Sequence, residues 1–309
     1  MSMQPDAGGA LFPAEPGAVL RERPRLINLA YRFLGSLADA EDVVQETYVR
    51  WYAMSAQQQA AIVSPGGWLT KVASRICLDL LGSARARREK YVGEWLPEPL
   101  PDRAEWGGGR AEASGDPADR VTLDESVGMA FLVVLEAMTP AERVAFILHD
   151  VFRYPFGDIA EIVGRTPAAC RQLAASARRR VGAHRSEGAD RGQRAGVVGD
   201  FKQAWESQDI KALIGLLDPD VTVVSDGGGL VRTTLEPLGG GEEVAQSLLF
   251  VSARTPDAKI LERSVNGQPG LVVEHEGTVV SVLAFDIVDG RIQHIWAVRN
   301  PEKLRPWAS

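Results

Sequence analysis

The sequence is short of the residues that build metal centres and disulfide frameworks: it has two cysteines and four histidines in 309 residues, with no metal-ligand spacing among them. No metal ion and no organic cofactor is therefore expected. Cys77 and Cys170 both fall on apolar stripes of predicted helices and read as packing residues rather than a disulfide. Long apolar runs are missing too, since no stretch approaches the roughly 20 consecutive apolar residues of a membrane span. The opening MSMQPDAGGALFPAEPGA has neither the basic start nor the apolar core of a secretion signal, so a cytoplasmic protein with no membrane partner is expected. Positive charge is in deficit as well: 34 Lys and Arg against 41 Asp and Glu leave a formal net charge of −7. Such a chain does not coat nucleic acid indiscriminately, but it has room for local basic surfaces.

What is present suffices for more than one core, with 45% hydrophobic residues, and the length favours two or three domains. Composition divides the chain into a helical segment at 17–90, a Pro/Gly-rich acidic linker at 91–120, a second helical segment at 121–185 and a strand-rich tail at 196–305. In the first segment Leu26, Leu29, Ala30, Phe33 and Leu34 form one helical face, and Val44, Thr47, Tyr48, Trp51 and Tyr52 form the next. Away from that second stripe stand Asp39, Asp42, Gln45 and Glu46, an acidic outer face suited to a basic partner. SAQQQAAIVSPGGW reads as a polar loop, and the helix after it carries Lys71 and Arg75 and runs into ARARREK, where Arg85, Arg87, Arg88 and Lys90 would release counterions from a DNA backbone. Trp68 stands where a ring could stack on an unpaired base, although a buried tryptophan explains it equally well.

The second segment holds YPFGDIAEIVGRTPAACRQLAASARRRV. Ile159, Ala160 and Val163 make one apolar stripe and Cys170, Leu173, Ala174, Ala177 and Val181 another, with Gly164 and the pair Thr166 and Pro167 between them. This is the spacing of a helix-turn-helix. Thr166, Ala168, Arg171 and Gln172 open its second helix on the exposed side, and Arg178 and Arg179, with Arg180 and Arg185 nearby, can pair with phosphates. Upstream, Thr139, Pro140 and Glu142 form a capping box that starts the preceding helix.

The order of an acidic helix, a basic helix, a linker and a helix-turn-helix resembles bacterial extracytoplasmic-function (ECF) sigma factors. DAEDVVQETYVRWY is similar to their polymerase-binding segment, GGWLTKVASRICLDLLGSARARRE to the part that opens the −10 element, and MTPAERVAFILHDVFRYPFGDIAEIVGRTPAACRQLAASARRRV to the part that reads the −35 element. The resemblance implies a multidomain fold with two all-α domains, a region 2 helical bundle and a region 4 helix-turn-helix. It implies promoter DNA and the RNA polymerase core as partners, the latter through the beta-prime clamp helices and beta flap. It also implies a chain that is monomeric when free and makes or breaks no bond itself. Asp39, Asp42, Gln45 and Glu46 would then meet polymerase. Trp68, Lys71, Arg75, Arg85, Arg87 and Arg88 would meet the −10 region, and Thr166, Ala168, Arg171, Gln172, Arg178 and Arg179 the −35 region. Where many relatives carry a basic residue this chain has Ser176.

The tail, helical at VVGDFKQAWESQDIKALIGLL and then strand-like with an Asp289-Gly290 hairpin signal, resembles the α+β SnoaL-like (nuclear transport factor 2-like) cone. WLPEP, VVSDGGG and RNPEKL resemble signatures of the sigma-J-like subgroup that carries this extension. Leu230 stands where a basic residue is usual and Glu302 where Asp is usual. Trp95, Pro97, Asp226, Gly227, Gly228, Asn300, Pro301 and Lys303 are accordingly expected to join the cone to the sigma domains and regulate them in cis. An alternative is a helix-turn-helix regulator whose cone senses a small molecule, with Trp205, Asp226, His275, Asp286, His294 and Trp296 as candidate lining residues of a pocket.

Overall fold

A computed structural model describes residues 19–88, 91–101, 128–183, 191–234 and 236–308. The side chains of Arg85, Arg87 and Arg88, and the whole of Lys90 and Arg185, lie outside the described residues.

The amino-terminal helices are α1 (Arg23–Leu34), α2 (Leu37–Tyr52), the short α3 (Ala56–Ala60) and α4 (Pro65–Arg88). Leu26, Leu29, Ala30, Phe33 and Leu34 of α1 are all buried, as their spacing requires. Gly35 ends the helix in the left-handed region at φ 68°, returning its N–H to the Tyr31 carbonyl, and Ser36 then caps α2. Two readings need correction here. Tyr52 is 52% exposed rather than part of the α2 core stripe, and the polar loop contains α3, closed by a reciprocal Ser55 and Gln58 capping box.

The second helical block comprises α5 (Met129–Glu136), α6 (Pro140–Phe146) running into a π-helical turn at Ile147–Val151, α7 (Phe156–Val163) and α8 (Pro167–Ala183). Thr139 and Glu142 form the capping box of α6, and Gly164 at φ 69° closes α7 ahead of the turn into α8. The two blocks do not keep separate cores. Leu29, Phe33, Leu69 and Cys77 lie in one continuous cluster with Val144, Ile147, Leu148 and Ile159.

The tail is α9 (Arg191–Glu206), α10 (Ile210–Leu216), β1 (Leu217–Asp226), β2 (Leu238–Gly239), α11 (Gly241–Arg254), β3 (Lys259–Val265), β4 (Gln268–His275), β5 (Thr278–Val288) and β6 (Arg291–Val298). The strands form one sheet in the order β2-β1-β6-β5-β4-β3, in which β1 and β6 pair parallel and the other neighbours antiparallel. Three hairpins turn on residue pairs with positive φ at both positions, the signature of type I′ turns: Asn266-Gly267, Glu276-Gly277 and Asp289-Gly290. The first and last carry the usual sequence signal, Asn-Gly and Asp-Gly, and the middle one does not. Alternation gives the sheet two apolar faces. Ile295 and Ala297 of β6 pack with Phe201, Trp205, Leu213 and Val244 of the helices, whereas Trp296 and Val298 pack with Leu96, Met129, Leu304 and Trp307 on the other side. The fold is thus two all-α units joined to an α+β unit whose helices cover one face of a six-stranded mixed sheet.

Candidate polymerase, DNA and interdomain surfaces

On α2, Asp42, Gln45 and Glu46 are exposed and Asp39 is half-buried near the capped first turn. Glu46 pairs with Arg50 one turn on, at 2.8 Å. Val49 and Tyr52 are exposed on the same helix and, with Gln45 and Tyr48, line a shallow groove. Apolar side chains therefore sit directly beside the acids, a combination seen at desolvated protein interfaces.

On α8, Thr166, Ala168, Arg171, Gln172, Arg178 and Arg179 are all exposed, while Cys170, Ala174 and Ala177 are buried. The Thr166 hydroxyl caps the helix by accepting from the Ala169 N–H. Arg171 lies over the Phe156 ring at 5.6 Å and Arg178 bonds Asp150 at 2.7 Å, so these two cations are presented in fixed positions. Ser176 is half-buried and hydrogen-bonds Glu142, which takes it off the exposed face.

The cations of α4 have a different setting. Lys71 donates to the Glu161 carboxylate, and Arg75 donates to the Glu161 backbone carbonyl at 2.9 Å; Glu161 belongs to α7, the first helix of the helix-turn-helix. The Lys71 hydrogen bond and charge hold the Glu161 carboxyl below the usual range. Trp68 is half-buried, edge-on to Trp51 with ring centroids 5.3 Å apart, so its ring serves the core at least in part. Arg143, 2% exposed, donates to the Phe33 carbonyl of α1 and to Glu136, each at 2.7 Å, and Arg32 lies over the Phe152 ring. Lys71 and Arg75 thus reach the first helix of the helix-turn-helix while remaining open to solvent.

The three signature segments, far apart in the chain, converge at one point. Asp226, 0% exposed, ends β1 and accepts from Tyr91 Oη at 2.6 Å, Leu96 N at 2.9 Å, Lys303 Nζ at 2.6 Å and Gly228 N at 3.0 Å. Its carbonyl accepts from the Arg299 and Asn300 N–H groups. Asn300 donates to Tyr91 Oη at 2.9 Å and accepts from the Glu302 N–H. Lys303 Nζ also lies 4.1 Å from the Trp95 ring centroid and donates to the Leu96 carbonyl. Burial and Asp226 together push the Tyr91 phenol up, so it remains a donor. Glycine is required twice: a Cβ on Gly227 would lie 2.3 Å from the Val231 carbonyl, and one on Gly228, at φ 63°, 2.3 Å from Asn300 Nδ2. Pro301 is exposed and takes no polar part.

The segment read as a linker is, over its described part, packed structure. Leu96 to Pro101 are buried between the first helices and the sheet. Pro97 packs against Gly35, the Glu98 N–H donates to the Gly35 carbonyl, and Glu98 Oε2 accepts from Leu37 N at 2.7 Å. Tyr31 Oη donates to the Glu98 carbonyl at 2.6 Å and accepts from Asn266 Nδ2 at 2.8 Å, tying α1, this segment and the β3–β4 hairpin together. Trp307 Nε1 closes the other side on the Pro99 carbonyl. Residues 102–120 lie outside the described residues. Sequence reasoning missed Tyr31, Tyr91, Glu98, Arg143, Glu161 and Asn266; of these only Glu98 sat inside a recognisable signature.

Among the six tail residues taken as possible pocket lining, Trp205 alone borders the cavity within the cone. Asp226 and Trp296 project from the opposite face, where His294 stacks on Trp296 and bonds Thr222 at 2.6 Å; His275 and Asp286 are not among the lining residues. Among the described residues there is no cluster of His, Cys, Asp and Glu able to hold a metal ion, and no helix is long and apolar enough to cross a membrane.

An acid-faced helix, a cationic helix and a helix-turn-helix in this order define a promoter-recognition factor. Family models for sigma-70 region 2 and sigma-70 region 4 match residues 18–87 and 128–181. The chain is 35% identical over 294 residues to the ECF RNA polymerase sigma factor SigJ of Mycobacterium tuberculosis, covering 91% of this chain and 90% of that one. It is 36% identical to the probable ECF RNA polymerase sigma factor SigI of the same species, over 92% of each. The crystal structure of M. tuberculosis SigJ superposes with a TM-score of 0.72 at 33% identity, covering 94% of this chain and 99% of that one. The chain belongs to the ECF RNA polymerase sigma factors. It acts in transcription initiation, as a DNA-binding factor of RNA polymerase.

Proposed function

We propose that the C-terminal cone regulates this sigma factor in cis, and that the arrangement described above is its closed form. The observation that carries this reading is the pairing of Lys71 and Arg75 with Glu161, because the cations proposed for the −10 region are engaged by the helix that leads into the −35 reader. A promoter spaces its two elements along the duplex, so region 2 and region 4 must part for both to be read at once. The clasp around Asp226 and the wedge at residues 96–101 favour the closed form, since a tethered domain meets its target at high effective concentration. On this reading the functional division follows segments 17–90, 91–120, 121–185 and 196–305. Asp39, Asp42, Gln45 and Glu46 meet the clamp helices of the polymerase beta-prime subunit, with region 4 on the beta flap. Trp68, Lys71, Arg75, Arg85, Arg87 and Arg88 hold the opened −10 strand. Thr166, Ala168, Arg171 and Gln172 enter the −35 major groove, with Arg178 and Arg179 on its phosphates. Trp95, Pro97, Asp226, Gly227, Gly228, Asn300, Pro301 and Lys303 form the regulatory joint.

The test is run-off transcription by core polymerase with the full chain on a pool of genomic promoter fragments. Glu161→Lys is expected to raise initiation from specific start sites about two- to fivefold, the worth of an exposed ion pair in an equilibrium between closed and open forms. Unchanged or lower output from a variant that still binds core would remove the closed-form reading. A second expectation concerns readout: Arg171→Ala should lose discrimination against single base changes in the −35 element by roughly tenfold, measured by competition binding. A uniform loss across all sequences would instead make Arg171 a phosphate contact.

A further inference from the structure

The cone encloses a cavity of about 520 Å³ between the inner face of the sheet and the helices, a size typical of small-molecule sites. The apolar part of its wall is built from Trp205, Leu248, Ile260, Val273, Leu283 and Ile295, and serines such as Ser247 and Ser281 also border it. Trp205 cannot turn its polar edge inward, because its Nε1 is committed to the Leu248 carbonyl at 3.2 Å. Two charged residues border this space. Glu206 is at the rim, 46% exposed and paired with Lys202 at 3.4 Å, so its charge is already answered. Arg299 comes from just beyond β6 and is half-buried. Its guanidinium donates once, to the Arg232 carbonyl at 3.1 Å, and among the described residues no carboxylate lies within ion-pair distance of it. A guanidinium has five N–H donors in a planar fork that fits a carboxylate. Burial holds the Arg299 pKa below the usual arginine value, as expected where a desolvated cation lacks a counter-charge.

The place of Arg299 in the sheet gives this cavity a route to the clasp. Ser225 and Arg299 both border the cavity, and the residues that follow them, Asp226 and Asn300, are two members of the clasp. The Arg299 N–H itself donates to the Asp226 carbonyl at 2.7 Å. A shift of the Arg299 backbone toward a ligand would therefore pull directly on Asp226.

We propose that the cone is a receptor for an apolar monocarboxylate, with the tail of the ligand against the Trp205 and Leu248 wall, its carboxylate on Arg299, and occupancy altering the clasp around Asp226. The regulatory half rests on the reading that the clasp governs the closed form; the binding half does not.

Binding is measured by isothermal titration of the full chain with decanoate, below its micellar concentration, against decanol and decylammonium. Decanoate is expected to bind one per chain, roughly tenfold more tightly than decanol, the worth of one charge-assisted hydrogen-bond pair, with decylammonium weakest. Arg299→Gln should bring decanoate to the level of decanol, Arg299→Lys should restore part of the difference, and Val273→Trp, which fills the cavity without touching the clasp, should abolish binding of all three. No binding of decanoate, equal binding of decanoate and decanol, or decanoate binding unmoved by Val273→Trp overturns the site. Hydrogen exchange at the Leu96, Arg299 and Asn300 amides then tests coupling. A change of about threefold or more on adding decanoate supports it, and binding without any change there overturns the coupling while leaving the receptor site. Because neither measurement uses polymerase, failure of the site and failure of the closed-form reading remain distinguishable.

Discussion

Replacing Asp226 by alanine is expected to destabilise the chain by about 3–5 kcal/mol, the cost of breaking a buried ion pair by removing one partner. The carboxylate is fully buried and answers three donors from other segments, Tyr91 Oη, Leu96 N and Lys303 Nζ. Without it the Lys303 ammonium, its side chain 11% exposed, loses its buried carboxylate partner and keeps the Leu96 carbonyl and the faces of Tyr91 and Trp95. Urea unfolding followed by circular dichroism gives the change directly. Asp226→Asn should lose less, because an amide oxygen still accepts from Leu96. Pairing Asp226→Ala with Lys303→Met should recover part of the loss, since the buried charge that Asp226 answers disappears with it. A loss below about 1 kcal/mol for Asp226→Ala would mean that the clasp contributes little beyond local packing.

The second large effect depends on pH. Glu98 is 7% exposed, and burial pushes its carboxyl up to about 7 despite the Leu37 N–H that favours the ionised form. The folded value lies above the unfolded one, so the folded chain holds the extra proton. The resulting stabilisation is complete below about 4.5 and is lost as pH rises through about 7. The integrated change is roughly 3 kcal/mol. Glu98→Gln keeps an oxygen for the Leu37 N–H and carries no charge, so the difference in unfolding free energy between variant and parent should grow across this window. The glutamine form should gain on the parent by roughly 3 kcal/mol between about pH 4, where the two are nearly equal, and about pH 8. A constant difference from pH 5 to pH 8 would place the titration elsewhere. At neutral pH this residue thus weakens the wedge it belongs to, which leaves the joint between the sigma helices and the cone less stable than its packing alone would make it.

The elements of the fold were largely legible because they follow short-range rules. The stripe from Leu26 to Leu34, the caps at Thr139 and Gly164, and the β-branched, strand-like run from Thr278 to Val298 each state their own local structure. Tyr52 misled because it continues the stripe of α2 past the point where another helix covers it. The Asn266-Gly267 turn matches the usual type I′ pair, yet its role in holding Tyr31 and residue 100 depends on a hairpin meeting a helix 235 residues away, beyond any local pattern. Arg143 is similar. In sequence it is one more charge on a surface helix, and only the packing of α6 on α1 turns it into a buried donor to Phe33. The signature segments were visible as compositions, with glycines and an aspartate marking a tight backbone, but their meeting at Asp226 is a property of the assembled sheet.

The parallel pairing of β1 with β6 also sets a sequence of events. Thr222 must find His294, 72 residues further on, before the sheet has a centre, and closing so long a loop is slow compared with forming helices from neighbouring turns. The α1–α2 hairpin and the helix-turn-helix are assembled from contacts a few residues apart, so they can organise first. On the closed-form reading, each newly made molecule then passes through an interval in which its promoter-reading helices are formed and its own restraint is not. The length of that interval is governed by the folding rate of the cone rather than by the strength of the clasp.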